Sequence, residues 1–383
     1  MNKKMTWLLG ILFILFGCDQ SKTSGKENIS KTTEERIVIG SLESEGMDSV
    51  QISKMTKAIT DQSYPNIHSV LIARNGKLVY ENYFPGKDEI LGQSIGLIKH
   101  NKDSLHDIRS VSKSIVSACI GIAISQGKIK NEDQKIWDFF PEYNDLNTGE
   151  KSNITIKHLL TMSSGLEWNE MIPYTDPANS EVRMDYSPDP VKFVLSQKSV
   201  TAPGTIWNYN GGGTQILAAI IKKVTGVETD EYAREYIFKP LGITQFFWIK
   251  FPSTQIPIAA SGLRLRSRDM LKFGLLYMNK GIWNERQILS EAWVRDSHKS
   301  YINRGDSATG SGGYGYQFWI WKDTINNKPI NIVAAIGNGD QRIFFDHEND
   351  LLVVTTAGNY NKWDIKNNAD ALVRNYIYPS FIK

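Results

Sequence analysis

Ser110 and Lys113 stand three residues apart at the head of a long apolar run, Ile108 to Ile124, reading IRSVSKSIVSACIGIAI. On a helix, residues three apart share a face with about 5–6 Å between their Cβ atoms, so hydroxyl and amine can meet without help from distant chain. A serine hydroxyl becomes an effective nucleophile only when a neighbouring base takes its proton. Lysine serves as that base if burial lowers its pKa from about 10.4 to roughly 7–8. Ile115, Val116, Ala118, Cys119, Ile120, Ile122, Ala123 and Ile124 make the helix apolar almost all round, which places it inside the protein. Lys113 is therefore expected to rest uncharged. Spacing alone is weak, because a second Ser-x-x-Lys occurs at Ser125 to Lys128. Gly127 inside that copy, where the apolar run ends, reads as a helix stop.

A Ser-Lys pair also needs a proton shuttle and an oxyanion hole. Tyr209 is the shuttle candidate, in a tight loop between Pro203-Gly204 and Gly211-Gly212-Gly213 where backbone can approach a ligand. With 16 tyrosines in the chain, plain packing is the ordinary alternative. Gly337-Asn338-Gly339-Asp340-Gln341 lies between two strand candidates, and glycines at a strand edge let a backbone N–H face a carbonyl. A hairpin turn without chemistry is the alternative there. Histidines 68, 100, 106, 158, 298 and 347 are scattered and show no metal-ligand spacing, so neither metal nor cofactor is expected. His106, four residues before Ser110, reads as packing, with loop positioning as the alternative.

The elements that must position these residues follow from periodicity. Met47 to Ser63 allows a helix. Ser69–Arg74 and Lys77–Tyr83, joined by Asn75-Gly76, carry the strongest short-range hairpin signal. Residues 86 to 107 read as a loop delivering the chain to Ser110, and Trp137 to Pro141 as another loop. Helices are expected at Ile154–Leu160 (ended by Ser163-Ser164-Gly165), Gln215–Val224, Asp230–Phe238, Asp269–Met278 and Glu291–Ser297. Strands return at Tyr314–Trp321, Ile330–Ile336, Gln341–Phe345 and Leu351–Thr356, before a closing helix at Ile365–Ile377. The fold class is thus α/β in the α+β sense. One antiparallel sheet is built from both chain ends, flanked by helices, beside a mainly helical subdomain at roughly residues 110–250. A cleft between them is the natural ligand site.

The 383 residues are 41% hydrophobic and 22% charged, which is ordinary globular composition. A net charge of +3 without a basic tract argues against a nucleic-acid surface. Lys3 and Lys4 precede an apolar stretch from Trp7 to Phe16. That stretch falls short of the about 20 residues a bilayer span needs and has the form of a secretory signal. Leu15-Phe16-Gly17-Cys18 resembles a bacterial lipoprotein processing box, which implies a signal peptide over residues 1–18 and an acylated Cys18. The protein is then expected in the bacterial cell envelope on a lipid anchor, or secreted if the box is not used. Residues 19–45 are polar and read as a flexible tether, and residues 46–383 as the folded domain. With Cys18 in the leader and Cys119 in the buried helix, no disulfide framework is possible, and Cys119 reads as core.

Taken in order, a Ser-x-x-Lys on a buried helix, a Tyr-Asn loop after Pro-Gly and a late glycine-rich strand edge resemble one superfamily. It is that of the serine beta-lactamases and penicillin-binding proteins, in its class C-like branch of esterases, D-peptidases, amide-oligomer hydrolases and beta-lactamases. The phrases Ile156-Lys157-His158-Leu159-Leu160-Thr161-Met162-Ser163-Ser164-Gly165-Leu166, Phe238-Lys239-Pro240-Leu241-Gly242-Ile243 and Ser261-Gly262-Leu263-Arg264-Leu265 support it, over roughly residues 65 to 360. The resemblance implies that Ser110 attacks a carbonyl, Lys113 is its base and Tyr209 relays a proton to the leaving group. Water then releases an acyl-enzyme formed on Ser110, with no cofactor. It implies an oxyanion hole from the Ser110 N–H and one near Gln341, with Asn210, Asn338 and Gly339 beside the substrate.

The departures matter. The family's Tyr-x-Asn reads Tyr209-Asn210-Gly211, while intact triplets at Tyr64 and Tyr301 fall out of order. Its Lys-Thr-Gly or His-x-Gly is replaced by Asn338-Gly339-Asp340, which leaves no cation there for a substrate carboxylate. Glu167 follows Gly165-Leu166 without a class A deacylation signature. A small neutral ester or amide is therefore the expected substrate. A true beta-lactamase or D-amino-acid peptidase, acting on peptides, and a non-catalytic wall-binding or sensor protein remain the alternatives. Oligomeric state is open.

Overall fold

A strand with a continuous apolar run has to be covered on both faces. The first strand, β1 (Ile67–Arg74), carries such a run at Val70–Ala73, and the computed structural model buries it on both sides. The structure describes residues 37–305, 312–325, 328–362, 365 and 368–381. Cys18 and the whole leader lie outside them. After α1 (Ser49–Thr60) and β1 come β2 (Lys77–Tyr83), β3 (Pro85–Ile90), β4 (Gln93–Lys99), β5 (Leu105–Asp107) and α2 (Ser112–Ser125). The middle holds α3 (Ile156–Leu160), α4 (Ser180–Asp185), α5 (Pro190–Leu195), α6 (Gly211–Thr225) and α7 (Thr229–Ala233). Next are β6 (Phe247–Trp248), β7 (Leu263–Arg266), α8 (Ser267–Met278), β8 (Ile282–Trp283), β9 (Arg286–Gln287) and α9 (Glu291–Ser297). The chain then runs through β10 (Ile302–Asn303), β11 (Gly313–Tyr314), β12 (Trp319–Ile325), β13 (Lys328–Gly337), β14 (Gln341–Asp346), β15 (Leu351–Ala357) and α10 (Asn368–Leu372).

Eight strands form one antiparallel sheet in the order β10-β11-β12-β13-β14-β15-β1-β2. The first and last long strands thus pair inside the sheet, with β1 one strand from its β2 edge, as a sheet built from both chain ends requires. Period-2 alternation divides their side chains between two cores. Leu71, Ala73, Leu352 and Val354 join α2, α6 and α8 on one face. Val70, Ile72, Leu351 and Val353 meet α1 and the C-terminal helical turns on the other. The Asn75-Gly76 turn has φ of 51° and 74°, the left-handed pair that a two-residue hairpin needs.

Several expectations change. The stretch read as a loop holds the β3–β4 hairpin and β5. Its turn is Leu91-Gly92 (φ 42° and 81°), a pair that carries none of the usual hairpin signal. The tether ends sooner than residue 45. Ile39 bridges Leu78 of β2, Ile37 is buried, and Glu45 pairs with Lys77 at 2.6 Å. One expected strand divides into β11 and β12 around a turn in which Gln317 has φ 67°. The helix expected over Asp230–Phe238 keeps its regular form only through α7 and finishes in a wider turn, and the closing helix does the same after α10. Among the described residues, no helix is long and apolar enough to cross a membrane.

Candidate active site

Ser110 lies in a tight 3₁₀ turn, Arg109–Val111, that opens α2. The turn begins with Arg109 at φ 49°, a left-handed conformation that costs a side-chain-bearing residue energy and is found at functional turns. Arg109 is held there by Glu89 at 2.5 Å and by the Tyr360 ring at 4.8 Å. Behind the turn, the Ser112 hydroxyl donates to the Arg109 carbonyl at 2.6 Å. Gly337, at the end of β13, abuts it too, since a Cβ on Gly337 would come within 2.3 Å of the Ile108 carbonyl oxygen.

Lys113, one turn on, is wholly buried. Its Nζ donates to Ser110 Oγ at 3.0 Å and to the Ala260 carbonyl at 3.1 Å, and lies 4.9 Å from the centre of the Tyr209 ring. Tyr209 lines the same cleft as Ser110, and its phenol and the Lys113 ammonium influence each other's ionisation. The three residues singled out in the sequence therefore meet. Burial holds the Tyr209 phenol above its ordinary pKa, so it rests protonated. The expectation for Lys113 is overturned. Burial does push its pKa down, but Tyr209 (through its phenolate, at high pH), Glu181 and Glu170 together outweigh burial and hold it above the usual lysine value. Lys113 rests as an ammonium.

The acids responsible escaped the sequence reading. Glu170, in the loop before α4, has an oxygen 3.8 Å from Lys113 Nζ. Glu181 sits in the first turn of α4, where the Asn179 side chain caps the helix. Both are buried. Glu170 accepts from the Gly211 N–H at 2.6 Å, Trp168 Nε1–H at 2.7 Å and the Tyr174 hydroxyl at 3.2 Å, and Glu181 from the Ser261 hydroxyl at 2.7 Å. Burial and the charge of Glu181 raise Glu170 well above the carboxylate range. Burial works against charge on Glu181 too, but Lys113 and the hydrogen bond from Glu170 leave it below that range. The two share one proton and titrate as a unit, with a single negative charge facing the ammonium. No ordinary donor reaches Glu181 Oε2, as suits an oxygen that shares a proton with its neighbour. Asp185 is pushed up by burial and then by Glu181, and rests neutral.

This pair also explains the departure at Gly211. A Cβ there would come within 2.9 Å of Glu181 Oε2 and 3.0 Å of Glu170 Oε2. The carboxyls fill the space beside the third position of the triplet, and only glycine leaves it to them. Asn210, next in the chain, is buried with its amide nitrogen unpartnered. Its oxygen caps α6 by accepting from the Gly213 N–H at 3.0 Å, and it stays out of the cleft.

The cleft above Ser110 has a volume of about 540 Å³, with Tyr209, Trp319 and Trp321 among its walls. Asn338 and Gly339 line it. Gln341 does not, being buried with its side-chain nitrogen committed to the Gly339 and Ala357 carbonyls at 3.0 and 2.5 Å. No cation stands at Asn338-Gly339-Asp340, as expected, but other parts of the cleft carry them. Arg342 lines the cleft from β14, directly after that turn, and Arg304, Lys362 and Arg374 line it from other segments. Arg342 is held between Asp340 (4.0 Å) and Asp370 (3.7 Å), and Arg374 by Asp323 at 2.5 Å. Nor are the histidines scattered in space. His68, His100 and His106 converge with Asp88, and His298 Nδ1 lies 2.8 Å from His347 Nε2. Cys119 is a buried free thiol in α2, as expected.

A family model described as Beta-lactamase matches residues 52–374. The 6-aminohexanoate-dimer hydrolase of Paenarthrobacter ureafaciens is 25% identical over 269 residues, which cover 66% of this chain and 66% of that protein. The match thus spans about two thirds of the relative's own length. Among solved structures, the octameric penicillin-binding protein homologue from Pyrococcus abyssi superposes with a TM-score of 0.63 at 21% identity, covering 85% of this chain and 77% of that one. EstCE1, a hydrolase with promiscuous acyltransferase activity, gives 0.66 at 15% identity, covering 86% and 98%. At these identities the superpositions establish a shared fold.

Proposed function

The chain belongs to the beta-lactamase family of serine hydrolases, and from that premise we propose that it cleaves an ester or amide bond by acylating Ser110. The observation that carries this reading is the 3.0 Å contact of Lys113 Nζ with Ser110 Oγ, at a buried site with the Tyr209 ring centre 4.9 Å from that nitrogen. Because Lys113 rests charged, it must first pass a proton to the Glu170–Glu181 pair, which becomes fully protonated. The neutral amine then takes the Ser110 proton as Oγ bonds to the substrate carbonyl carbon. The oxyanion is held by the Ser110 N–H and by a second N–H in the turn at residues 337–339, which lines the cleft where Gln341 does not. Tyr209 gives its proton to the departing alcohol or amine and recovers one from Lys113. Water then attacks the acyl carbon, loses its proton through the same groups, and frees the acid with Ser110 restored.

The aromatic walls suit an acyl or leaving group with an apolar body. A second reading rests on Lys362, a cation in the lining of the cleft that could meet the carboxylate of a D-peptide or beta-lactam. Export on a lipid at Cys18 belongs to the same proposal and rests on Leu15-Phe16-Gly17-Cys18. Fatty-acid labelling that survives Cys18→Ser would refute that anchor.

A fluorophosphonate probe tests the chemistry. Wild type should be labelled, and Ser110→Ala and Lys113→Ala should not. Labelling that persists in Ser110→Ala removes the nucleophile, and a folded wild type that never labels favours a non-catalytic binding protein. A panel of neutral esters, amides, D-peptides and a chromogenic cephalosporin separates the two substrate readings. The second gains if Lys362→Ala raises KM for the charged substrates alone, and fails if KM for them is unchanged.

A further inference from the structure

His68 on β1, Asp88 on β3, His100 just after β4 and His106 on β5 are brought to one point by four separate segments. Each offers one ligand atom, the four atoms lie within 4.8 Å of one another, and all four side chains are buried. The ring of His68 is 3.8 Å from that of His100 and 5.3 Å from that of His106, with 4.7 Å between the latter two. His68 Nε2 contacts the Lys87 carbonyl at 3.1 Å, which leaves its Nδ1 without a partner. No hydrogen bond of good geometry reaches either ring nitrogen of His100 or His106, although backbone at Gly86 and Ser104 lies near them. Buried polar atoms left unmet in this way are costly, and call for a ligand or an ion. The cluster is also built to fit closely. A Cβ on Gly86 would fall 2.5 Å from His68 Cδ2, and one on Gly358 2.8 Å from His68 Cε1.

The geometry points to a site for a divalent transition-metal ion, zinc by the chemistry of its donors, held by His68, Asp88, His100 and His106. Three imidazoles and one carboxylate match the four-ligand tetrahedral preference of zinc, whereas calcium and magnesium take oxygen ligands. Ligand atoms around tetrahedral zinc lie roughly 3.4 Å apart, so the widest separations close up on filling, while the His68 and His100 rings, stacked at 21°, turn apart to aim at one ion. Burial holds His68 at about 3 and His100 at about 4, so their lone pairs are available without displacing a proton. Burial also pushes the Asp88 carboxyl up to about 6, and a cation beside it would restore its charge. The nearby guanidinium of Arg264 is paired with Asp107 at 2.7 Å. His68 has the arrangement usual for a metal-bound imidazole, with one nitrogen on a backbone carbonyl and the other free for the ion. Four protein ligands leave no position for substrate, so the role is structural. The ion would tie β1, the β3–β4 hairpin and β5 together, and β5 runs directly into the Ser110 turn.

The test uses untagged full-length protein, zinc and no other additive. Elemental analysis after dialysis should find about one zinc per chain. Removal by a strong chelator should lower Tm by several degrees, and Co2+ put in its place should give the visible absorption of a tetrahedral site. Asp88→Asn and His100→Gln should each lose the metal, and His347→Gln, at the other histidine pair, should keep it. Less than about one-tenth of an equivalent in wild type, even after reconstitution with zinc, overturns the inference. So does zinc that survives both Asp88→Asn and His100→Gln, or that His347→Gln removes. Stoichiometry and the cobalt spectrum are read on wild type, so the outcome does not depend on the variants folding.

Discussion

Replacing both buried carboxyls, Glu170→Gln with Glu181→Gln, should change the pH dependence of Ser110 acylation far more than either replacement alone. The pair holds one proton and therefore one negative charge against Lys113. Changing either acid to its amide removes the shared proton and leaves the charge on the other. Only the double variant removes the charge. Glu170 Oε1 stands 3.8 Å from Lys113 Nζ, and at an effective dielectric of about 20 one charge at that distance is worth about 4 kcal/mol, or about 3 pK units. Lys113 must be neutral to accept the serine proton, so labelling by a fluorophosphonate should rise with pH through the Lys113 pKa. That rise should move to lower pH by about 3 units in the double variant and by under about 1 unit in each single variant. The stability change has a defined sign. A lysine whose folded pKa is raised contributes stability that is present below its unfolded value and lost as pH climbs through the folded one. The double variant therefore loses stability at neutral pH, by at most about 5 kcal/mol, because Lys113 can shed its proton instead. The assay is the second-order labelling rate against pH, on protein whose melting remains cooperative. A single variant that shifts the profile as far as the double, or a double that leaves it in place, refutes the shared proton.

Gly337→Ala sets a Cβ 2.3 Å from the Ile108 carbonyl, so labelling of Ser110 should fall at least about tenfold with about 1–3 kcal/mol of lost stability. Unchanged labelling would mean that β13 does not position the nucleophile turn. Asn210→Ala should cost about 1 kcal/mol in urea unfolding through loss of the α6 cap and leave KM for any ester unchanged, with Asn210→Asp restoring stability. A raised KM would return Asn210 to the substrate site. Gly121→Ala drives a Cβ to 2.5 Å from the Trp293 ring, and the urea midpoint should fall as about 1–3 kcal/mol of overpacking, with the labelling rate kept. No loss of stability would show that the α2–α9 contact yields freely.

What could be read in the sequence was local or carried by a motif. Asn75-Gly76 specified its own hairpin, and Ser110 and Lys113 meet because one helical turn suffices. The sheet followed from apolar runs at both chain ends. What escaped depends on contacts between distant segments. The charge of Lys113 is set by Glu170 and Glu181, and nothing in the segment that carries them marks either acid. Burial could be inferred from the apolar helix, but burial and neighbouring charge act in opposite directions on a lysine. The vacancy at Gly211 looked like a missing amide until the carboxyls that fill it were in place. His68, His100 and His106 have no ligand spacing along the chain because the β3–β4 hairpin folds between them. That hairpin turns at Leu91-Gly92, a pair outside the usual code.

The pairing of β1 with β15 sets a timetable for the chain. Ser69 and Thr356 share a hydrogen bond across 287 positions, so β1 waits for almost everything after it to emerge before its central partner exists. Long-range pairing of this kind is slow and leaves strand edges exposed meanwhile. The floor beneath the α2 face is laid last, and until then Ser110 has no rigid surface to be aimed from. The sheet face against which α2 packs is therefore complete only once the final long strand has docked.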